Sequence, residues 1–143
     1  MSDDAALRHV LDLEQLRALG QRYARAVDGG DHDALRDLFH ADAVIEGVRG
    51  VAARDEYVDT MRSSPRAYAQ SMHVLADPLI SLAPGADTAT LDTYAVVHQI
   101  GAVQAGGERG GNATLGMRYV DEVVRDGDSW RILRRTATMV WMA

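Results

Sequence analysis

The apolar residues of this chain change their spacing at Pro65, and this change constrains the fold more than any other feature. Before Pro65 they recur three and four residues apart, which is the spacing of one face of a helix. After Pro65 they form longer extended stretches that are separated by turns rich in glycine and aspartate. Helices followed by a run of antiparallel strands predict one α+β domain, residues 1–143, with the sheet wrapped around the helices.

The first part of the chain is predicted to contain three helices and the start of a strand. Ser2 or Asp3 can cap the first helix, and the flexible pair Gly29-Gly30 ends it. Asp31 can cap the second helix. The predicted elements, in order, are a helix at 5–28, a helix at Asp33–Phe39, a strand start at Ala43–Glu46, a turn-like segment at 48–56 and a helix at Arg54–Met61.

The second part of the chain is predicted to form a meander of strands. The turns APGAD, QAGGERGGN and RDGD separate the apolar stretches, and Asp126-Gly127 in the last of them is the strongest hairpin signal. The glycine-rich segment QAGGERGGN joins two strands and does not lead into a helix, so we expect a hairpin tip there, not a phosphate-binding loop. The predicted strands are Ser71–Leu82, Thr88–Val103, Ala113–Arg125 and Ser129–Trp141.

Charge and composition narrow the possible partners. The net charge of −6 disfavours a surface that binds the phosphates of nucleic acid. The lack of cysteine excludes disulfides, thiolate catalysis and cysteine-ligated metals. No apolar run approaches the roughly 20 residues of a membrane span, and the acidic N-terminus lacks the pattern of a signal peptide. We therefore expect a cytoplasmic protein that binds neither nucleic acid nor a membrane.

The alternation of side chains along each strand predicts which residues share a face. One face of the last strand carries Leu133, Arg135, Ala137, Met139 and Trp141. The other face carries Trp130, Ile132, Arg134 and Val140. In the strand Thr88–Val103, the residues Tyr94, Val96, His98 and Ile100 lie together. A face that mixes tyrosine, histidine and arginine with aliphatic residues suits a pocket, because a buried charge without partners is unfavourable.

Four polar residues can meet in one apolar pocket of such a domain: Tyr23, Asp28, His73 and Arg135. Histidine readily exchanges a proton near neutral pH, and a carboxylate can orient an imidazole. Each residue also has a structural interpretation. Asp28 can end the helix, and Tyr23 can be a core residue with a satisfied hydroxyl. His73 can be a structural histidine, and Arg135 can be a surface ion-pair partner.

Two assignments remain open at this level. Arg134 lies beside Arg135, and either arginine can face the pocket. His98 can support His73 or merely line the wall. Neither His-x-His nor HExxH occurs, so we expect no metal and no other cofactor. A triad of Asp28, His73 and His98 is the one metal arrangement that these residues could form, and we do not favour it.

The segment RYARAVDGGDHDALRDLFHADAVIEG resembles the opening signature of the SnoaL-like group of the NTF2-like superfamily. The segment MHVLADPLI is similar to the central histidine strand of that group, and YVDEVVRDGDSWRILRRT is similar to its closing hairpin. The resemblance extends from Leu11 to Trp141 and implies a cone-shaped α+β barrel. It also implies a homodimer, because the outer face of the sheet usually packs against a second copy in this fold. Trp130, Ile132 and Val140 are expected on that face.

The resemblance to metal-free dehydratases is better than that to ketosteroid isomerases. The isomerases are similar at Tyr23, but their catalytic base would fall at Gly47, which cannot act as one. The dehydratases of the scytalone and bile-acid types together match five residues: Tyr23, Asp28, His73, His98 and Arg135. The fold alone does not specify a reaction, since isomerases, dehydratases, cyclases, epoxide hydrolases and non-enzymes share it.

The residues and the resemblance together predict a cofactor-independent dehydratase or isomerase that acts on a hydrophobic cyclic or polycyclic ketone or hydroxy compound. His73 is expected to be the general acid or base, Asp28 to orient it, and Tyr23 to stabilise a developing oxyanion. The residues expected to contact the substrate are Arg135, His98, Tyr94, Met139 and Trp141. A polyketide cyclase and a non-catalytic small-molecule-binding domain are the alternatives.

Overall fold

Three helices in the described residues precede most of the sheet, as the apolar spacing predicted. The structure is a computed structural model and describes residues 1–64, 67–102 and 110–143. The helices are α1 (Asp3–Gly29), α2 (His32–Leu38) and α3 (Arg54–Ser63). Ser2 caps α1 by accepting a hydrogen bond from the backbone N–H of Ala5, and Gly30 ends it in the left-handed conformation with φ of 68°. The three predicted helices are confirmed.

In the described part of the chain seven strands form one curved sheet, and the α+β class is confirmed. The order across the sheet is β2-β1-β7-β6-β5-β3, and β4 pairs with β5. Among these described strands all pairs are antiparallel except β1 with β7, so the sheet is mixed but mostly antiparallel. Within the described residues β2 and β3 are free edges, and the sheet is not closed. The strands are β1 (Phe39–Gly47), β2 (Gly50–Ala53), β3 (Tyr68–Leu75), β4 (Leu79–Ser81), β5 (Thr88–Ala102), β6 (Ala113–Asp126) and β7 (Ser129–Met142).

Two predicted segments differ from the structure. The segment at 48–56, predicted as a turn, contains strand β2, which pairs with β1 as a short hairpin. The single predicted strand Ser71–Leu82 is divided into β3 and β4. Pro78 lies in the gap, where its missing N–H cannot contribute to the hydrogen-bond ladder. The predicted tip at 104–112 lies mostly outside the described residues.

The helices pack on the inner face of the sheet, where the main core is located. Its largest fully buried side chains include Leu16, Leu35, Phe39, Val123 and Ile132. At one end of the core, the buried carboxylate of Asp12 in α1 accepts hydrogen bonds from Arg125 at 2.8 Å and from the Trp130 indole at 3.1 Å. This network joins α1 to the β6–β7 hairpin. Within the described ranges, none of the helices has the length and apolar content required to cross a membrane.

Two β-bulges in β7 reverse the face on which its side chains lie. Ile132 pairs with Val123 while Arg134 pairs with Glu122, so Leu133 is an extra residue without a partner in β6. Val140 is a second extra residue, since Met139 pairs with Met117 and Trp141 with Gly116. Each extra residue shifts the alternation by one position. The inner face of β7 therefore carries, in order, Trp130, Ile132, Arg135, Ala137 and Met139.

The bulges overturn the predicted assignment of faces in β7. Trp130 and Ile132 are buried in the core on the same side as Arg135, so the prediction that they lie on the outer face is wrong. The outer face of the sheet is nevertheless apolar in places. Its exposed large hydrophobic residues include Met72, Val74, Tyr94 and Trp141, with Val140 beside them.

Candidate active site

A short hydrogen-bonded pair joins the end of α1 to β3. Nδ1 of His73 lies 2.7 Å from Oδ1 of Asp28, and the His73 side chain is only 8% exposed. His73 points to the inner face, because it pairs with the buried Val97 of β5. Asp28 reaches it from the last turn of α1, just before the helix ends at Gly30. The predicted meeting of Asp28 and His73 is thus present in the structure.

Two further hydrogen bonds hold the Asp28 carboxylate in place. The backbone N–H of His73 donates to Oδ2 at 2.8 Å, and the Ser71 hydroxyl donates to Oδ1 at 3.1 Å. Because a carboxylate only accepts hydrogen bonds, Nδ1 of His73 must carry the proton in the shared bond. The other ring nitrogen, Nε2, then has the lone pair and makes no hydrogen bond to the described residues. The arrangement is that of an imidazole oriented to exchange a proton through Nε2.

Tyr23 connects this pair to a buried arginine. Its ring meets the His73 ring edge-on, with centroids 5.8 Å apart, and also contacts Tyr119 at 5.6 Å. The guanidinium carbon of Arg135 lies 4.1 Å from the centre of the Tyr23 ring and 4.7 Å from that of Tyr119. The predicted set Tyr23, Asp28, His73 and Arg135 is therefore brought together on one side of the sheet.

Arg135 is held by a paired carboxylate. Its Nε donates to Oδ1 of Asp121 at 2.7 Å and its Nη2 donates to Oδ2 at 2.8 Å, with both side chains 3% exposed. Nη1 is buried and has no hydrogen-bond partner among the described residues. Burial lowers the pKa of Arg135, but the charge and hydrogen bonds of Asp121 raise it by a larger amount. The net shift is upward, so the arginine is always charged. Arg134 instead lies on the exposed face beside Glu122, and this resolves the choice between the two arginines.

Two tyrosines near Arg135, Tyr57 and Tyr119, are kept in their neutral form. Burial raises the pKa of Tyr57 well above 10.0, and the neighbouring Tyr23 phenol raises it further. Burial, and then Tyr23, also raise the pKa of Tyr119. A phenol that does not ionise remains an O–H donor. The site thus combines neutral donors with a charged guanidinium.

A cavity of about 380 Å³ lies between α3, the β1–β2 hairpin and the inner face of the sheet. Its polar inner wall contains Tyr23, Tyr57, Tyr119 and Arg135. His73 is not among the lining residues and reaches this wall through its edge contact with Tyr23. Apolar side chains make up most of the remainder: Ile45, Val48, Val51, Met61, Met117 and Ala137. The volume lies within the range of about 300–1,000 Å³ that is typical of small-molecule pockets.

Three of the predicted substrate contacts lie on the opposite side of the sheet. Tyr94 is 61% exposed on the outer face of β5. His98 shares that face and lies 3.4 Å from the Thr114 hydroxyl. Trp141 lies over Gly116, in a separate outer groove of about 380 Å³ that is also lined by Tyr94. The expectation that these residues face the pocket with Arg135 is wrong, because alternation identifies two faces of a strand but not which face is inward.

Met139 does lie on the face of Arg135, but it is 41% exposed and does not line the cavity. Within the described part of the chain, no three His, Asp or Glu side chains converge as a set of metal ligands.

Three residues near the site were not assigned to it from the sequence: Ser71, Asp121 and Tyr57. Asp121 carried a usable signal, because it shares a face with Met117, Tyr119 and Val123 and a carboxylate on such a face needs a partner. Ser71 carried no signal, since its role depends on the approach of α1.

Comparison with known proteins supports this description of the fold. The model of the SnoaL-like domain matches residues 8–136. A search of the curated proteins found no match.

Solved structures of three proteins from Novosphingobium species are similar. A protein described as a scytalone dehydratase, from Novosphingobium aromaticivorans, has a TM-score of 0.82 and 16% identity over 99% of this chain and 91% of its own. The hexachlorocyclohexane dehydrochlorinase LinA-type3, from Novosphingobium barchaimii, has a TM-score of 0.78 and 15% identity over 99% and 93%. A protein described as an aromatic ring hydroxylase, from N. aromaticivorans, has a TM-score of 0.74 and 24% identity over 94% and 93%. Identities this low show a shared fold and not a shared reaction.

Proposed function

We propose that this chain, which belongs to the SnoaL-like domain family, is a cofactor-independent lyase or isomerase that uses His73 and Asp28 to move a proton on a hydrophobic small molecule. The observation that carries the proposal is the 2.7 Å contact between Nδ1 of His73 and Oδ1 of Asp28 on the inner face of the sheet. A partly buried carboxylate that accepts hydrogen bonds from the Ser71 hydroxyl, the His73 backbone and the His73 imidazole suits acid–base catalysis better than simple packing.

In the proposed reaction Nε2 of His73 removes a proton from a carbon next to a carbonyl. Asp28 keeps the ring in the reactive tautomer and stabilises the imidazolium that forms. The proton then returns to another carbon in an isomerisation, or to a departing hydroxyl in a dehydration. A well-placed acid or base typically contributes about 10²–10⁴-fold, so donors such as Tyr23 must stabilise the oxyanion as well.

The shape of the cavity supports a cyclic, mostly apolar substrate. Its lining of valine, isoleucine, methionine and alanine offers dispersion contacts, and its polar groups are concentrated on one wall. Because the Tyr23 ring adjoins both the cavity and His73, the reacting carbon must lie near Tyr23. Two of the similar structures bear names that denote eliminations, a dehydratase and a dehydrochlorinase, and this favours a lyase.

Proton removal can be measured without knowing the natural substrate. A panel of cyclic ketones and hydroxyketones is incubated with the protein in D₂O, and exchange at the α-carbon is followed by NMR. His73→Ala should lower the exchange rate by about 10²-fold or more, and Asp28→Asn should give a smaller loss. His98→Ala is the matched control, because it removes an imidazole from the outer face of the same sheet.

The outcomes separate the proposed enzyme from its rivals. If His73→Ala and Asp28→Asn both exchange as fast as the unmodified protein, the assignment is wrong. A non-catalytic binding domain would bind members of the panel tightly without any exchange, and Asp28→Asn would leave this affinity unchanged. A polyketide cyclase begins with the same proton removal, so it would pass this test and would then be identified by ring closure of a linear polyketone.

We also propose that the outer face of the sheet binds a second copy of the chain. The helices cover only the inner face, and the groove at Val74, Tyr94, Val96 and Trp141 is apolar. Size-exclusion chromatography with light scattering at micromolar concentration tests this, and a monomer that persists at high concentration would refute it. The cytoplasmic location stays a prediction.

A further inference from the structure

One N–H group of the site, Nη1 of Arg135, donates no hydrogen bond to the described residues. Nε and Nη2 of Arg135 both bind Asp121, whereas the buried Nη1 binds nothing. Buried donors are nearly always satisfied, so one that is left open beside a cavity indicates an acceptor that arrives with a ligand. Arg135 lines the 380 Å³ cavity directly.

An acceptor atom that belongs to an organic ligand must approach Nη1 of Arg135 from that cavity. Arg135 and Asp121 also border a void on the α1 side, between Leu16 and Thr93, but its volume is about 10 Å³. A space of that size holds at most one water molecule. An organic ligand can therefore reach the guanidinium only from the large cavity, past Tyr57 on α3 and the ring of Tyr23.

Tyr57 supplies a second donor at the same place. It lines the cavity and packs edge-on against Phe39, with ring centroids 5.8 Å apart, which limits its motion. Its hydroxyl is close enough to Tyr23 and Arg135 for both residues to influence its pKa. Since its pKa is raised by burial, it is an O–H donor at neutral pH.

The charge near these donors is balanced. The positive charge of Arg135 is already paired with Asp121 through two short hydrogen bonds, and its guanidinium is stacked on Tyr23 and Tyr119, so it cannot swing to meet a distant anion. A permanent carboxylate would lose its hydration on entry without meeting an unpaired positive charge. An uncharged carbonyl loses much less hydration and still accepts the same hydrogen bonds.

From this we infer that Tyr57, Tyr23 and Nη1 of Arg135 form a site for the carbonyl oxygen of an uncharged substrate, and that the protein selects ketones or aldehydes over carboxylic acids. We refer to these three groups as the carbonyl site. The inference rests on the proposed function only for the step after binding, in which the oxygen gains charge as His73 removes a proton. Tyr57 is then a residue that touches the substrate and not just a core tyrosine.

Ligand binding tests the carbonyl site without turnover. 4-Nitroacetophenone and 4-nitrobenzoate have the same ring but carry a neutral carbonyl and a carboxylate, respectively. Their affinities are measured by equilibrium dialysis at pH 7. The ketone should bind at least about 10-fold more tightly than the carboxylate.

Tyr57→Phe removes one donor and leaves the ring in place. It should weaken binding of 4-nitroacetophenone by about 3- to 10-fold, as expected for the loss of a hydrogen bond to a neutral acceptor, and should reduce the preference for the ketone over the carboxylate. Tyr94→Phe, on the outer face, should change neither quantity. The thermal midpoint of each variant is measured beside its affinities, so that loss of folding is recognised directly.

The inference is overturned if the carboxylate binds as tightly as the ketone, or if Tyr57→Phe and Tyr94→Phe behave alike. His73→Ala separates it from the proposed function. If that variant loses proton exchange but keeps the affinity for 4-nitroacetophenone, both the proposed function and the carbonyl site stand. If it keeps proton exchange while Tyr57→Phe still weakens binding, the catalytic role of His73 fails and the carbonyl site stands.

Discussion

Asp121→Asn is the change that most directly tests how this site is held together. The substitution keeps the size of the side chain but removes the negative charge that is paired with Arg135. Both side chains are 3% exposed and are joined by two hydrogen bonds of 2.7 and 2.8 Å. The variant leaves a buried guanidinium, stacked against tyrosine rings, without a compensating charge.

The expected loss can be worked from this geometry. Removing one partner of a buried ion pair lowers the free energy of unfolding by about 3–5 kcal/mol. The entropy of unfolding is about 2.1 cal/mol/K per residue, which gives roughly 0.3 kcal/mol/K for 143 residues. Dividing this loss of free energy by this entropy predicts that the thermal midpoint of Asp121→Asn falls by about 10–17 °C. Differential scanning calorimetry at pH 7 measures this shift.

Glu122→Gln is the matched control, because it neutralises the next carboxylate along β6. Glu122 lies on the outer face, 3.7 Å from Arg134, with both side chains more than half exposed. An exposed pair contributes little, so the midpoint should move by no more than about 3 °C. The double variant Asp121→Leu with Arg135→Met should recover most of the lost stability, since no charge is then left buried. Equal shifts in Asp121→Asn and Glu122→Gln would refute the reasoning.

Three other parts of the structure give further predictions. Asp12→Asn should lower the free energy of unfolding in urea by about 1–3 kcal/mol at pH 7. The hydrogen bond from Arg125 lowers the pKa of Asp12 below 3.8. The stabilisation by Asp12 is therefore lost as the pH falls through that lower value. Between about pH 5 and pH 2 the free energy of unfolding of the variant should decline less steeply than that of the unmodified protein. Because the pKa values of Tyr57 and Tyr119 are raised above 10.0, the folded protein at about pH 11 should show about two fewer tyrosinates than the unfolded chain, by difference absorbance. In Gly116→Ala the new methyl group would collide with the indole that covers it and should destabilise the protein by about 1–3 kcal/mol, whereas Gly47→Ala, where the added methyl group would meet none of the described residues, should not.

The parts of the fold that could be predicted from sequence are those that depend on neighbouring residues in the chain. The bounds of α1 follow from its apolar spacing and from Ser2 and Gly30 at its ends, which are local signals. The limits of β5, β6 and β7 follow in the same way from their turns, whereas the break between β3 and β4 was not predicted. The Asp28–His73 contact is different, because it joins residues 45 positions apart. It was predicted through the resemblance to a known family and not from spacing.

The faces of the strands could not be predicted as well as their limits. β5 has apolar residues on both sides, so alternation alone does not reveal that Tyr94 and His98 face outward. In β7 the bulge at Leu133 depends on how β6 and β7 pair, and nothing in the local sequence indicates it. Asp121 was overlooked for a related reason, since Arg135 can be recognised as its partner only once the side chain of Arg135 is known to point inward.

The extra residue at Leu133 has a consequence for how such strands are compared. The alternation of faces along β7 shifts by one position at this residue. Before it even-numbered residues fill the hydrophobic interior, and after it odd-numbered residues do. A relative that lacks this residue would carry its inward arginine two positions after the inward isoleucine instead of three. Aligned without a gap, that arginine would be matched to Arg134, which faces solvent in this chain. The length of the strand at this point therefore decides which residues of two relatives are equivalent, whatever amino acid occupies the extra position.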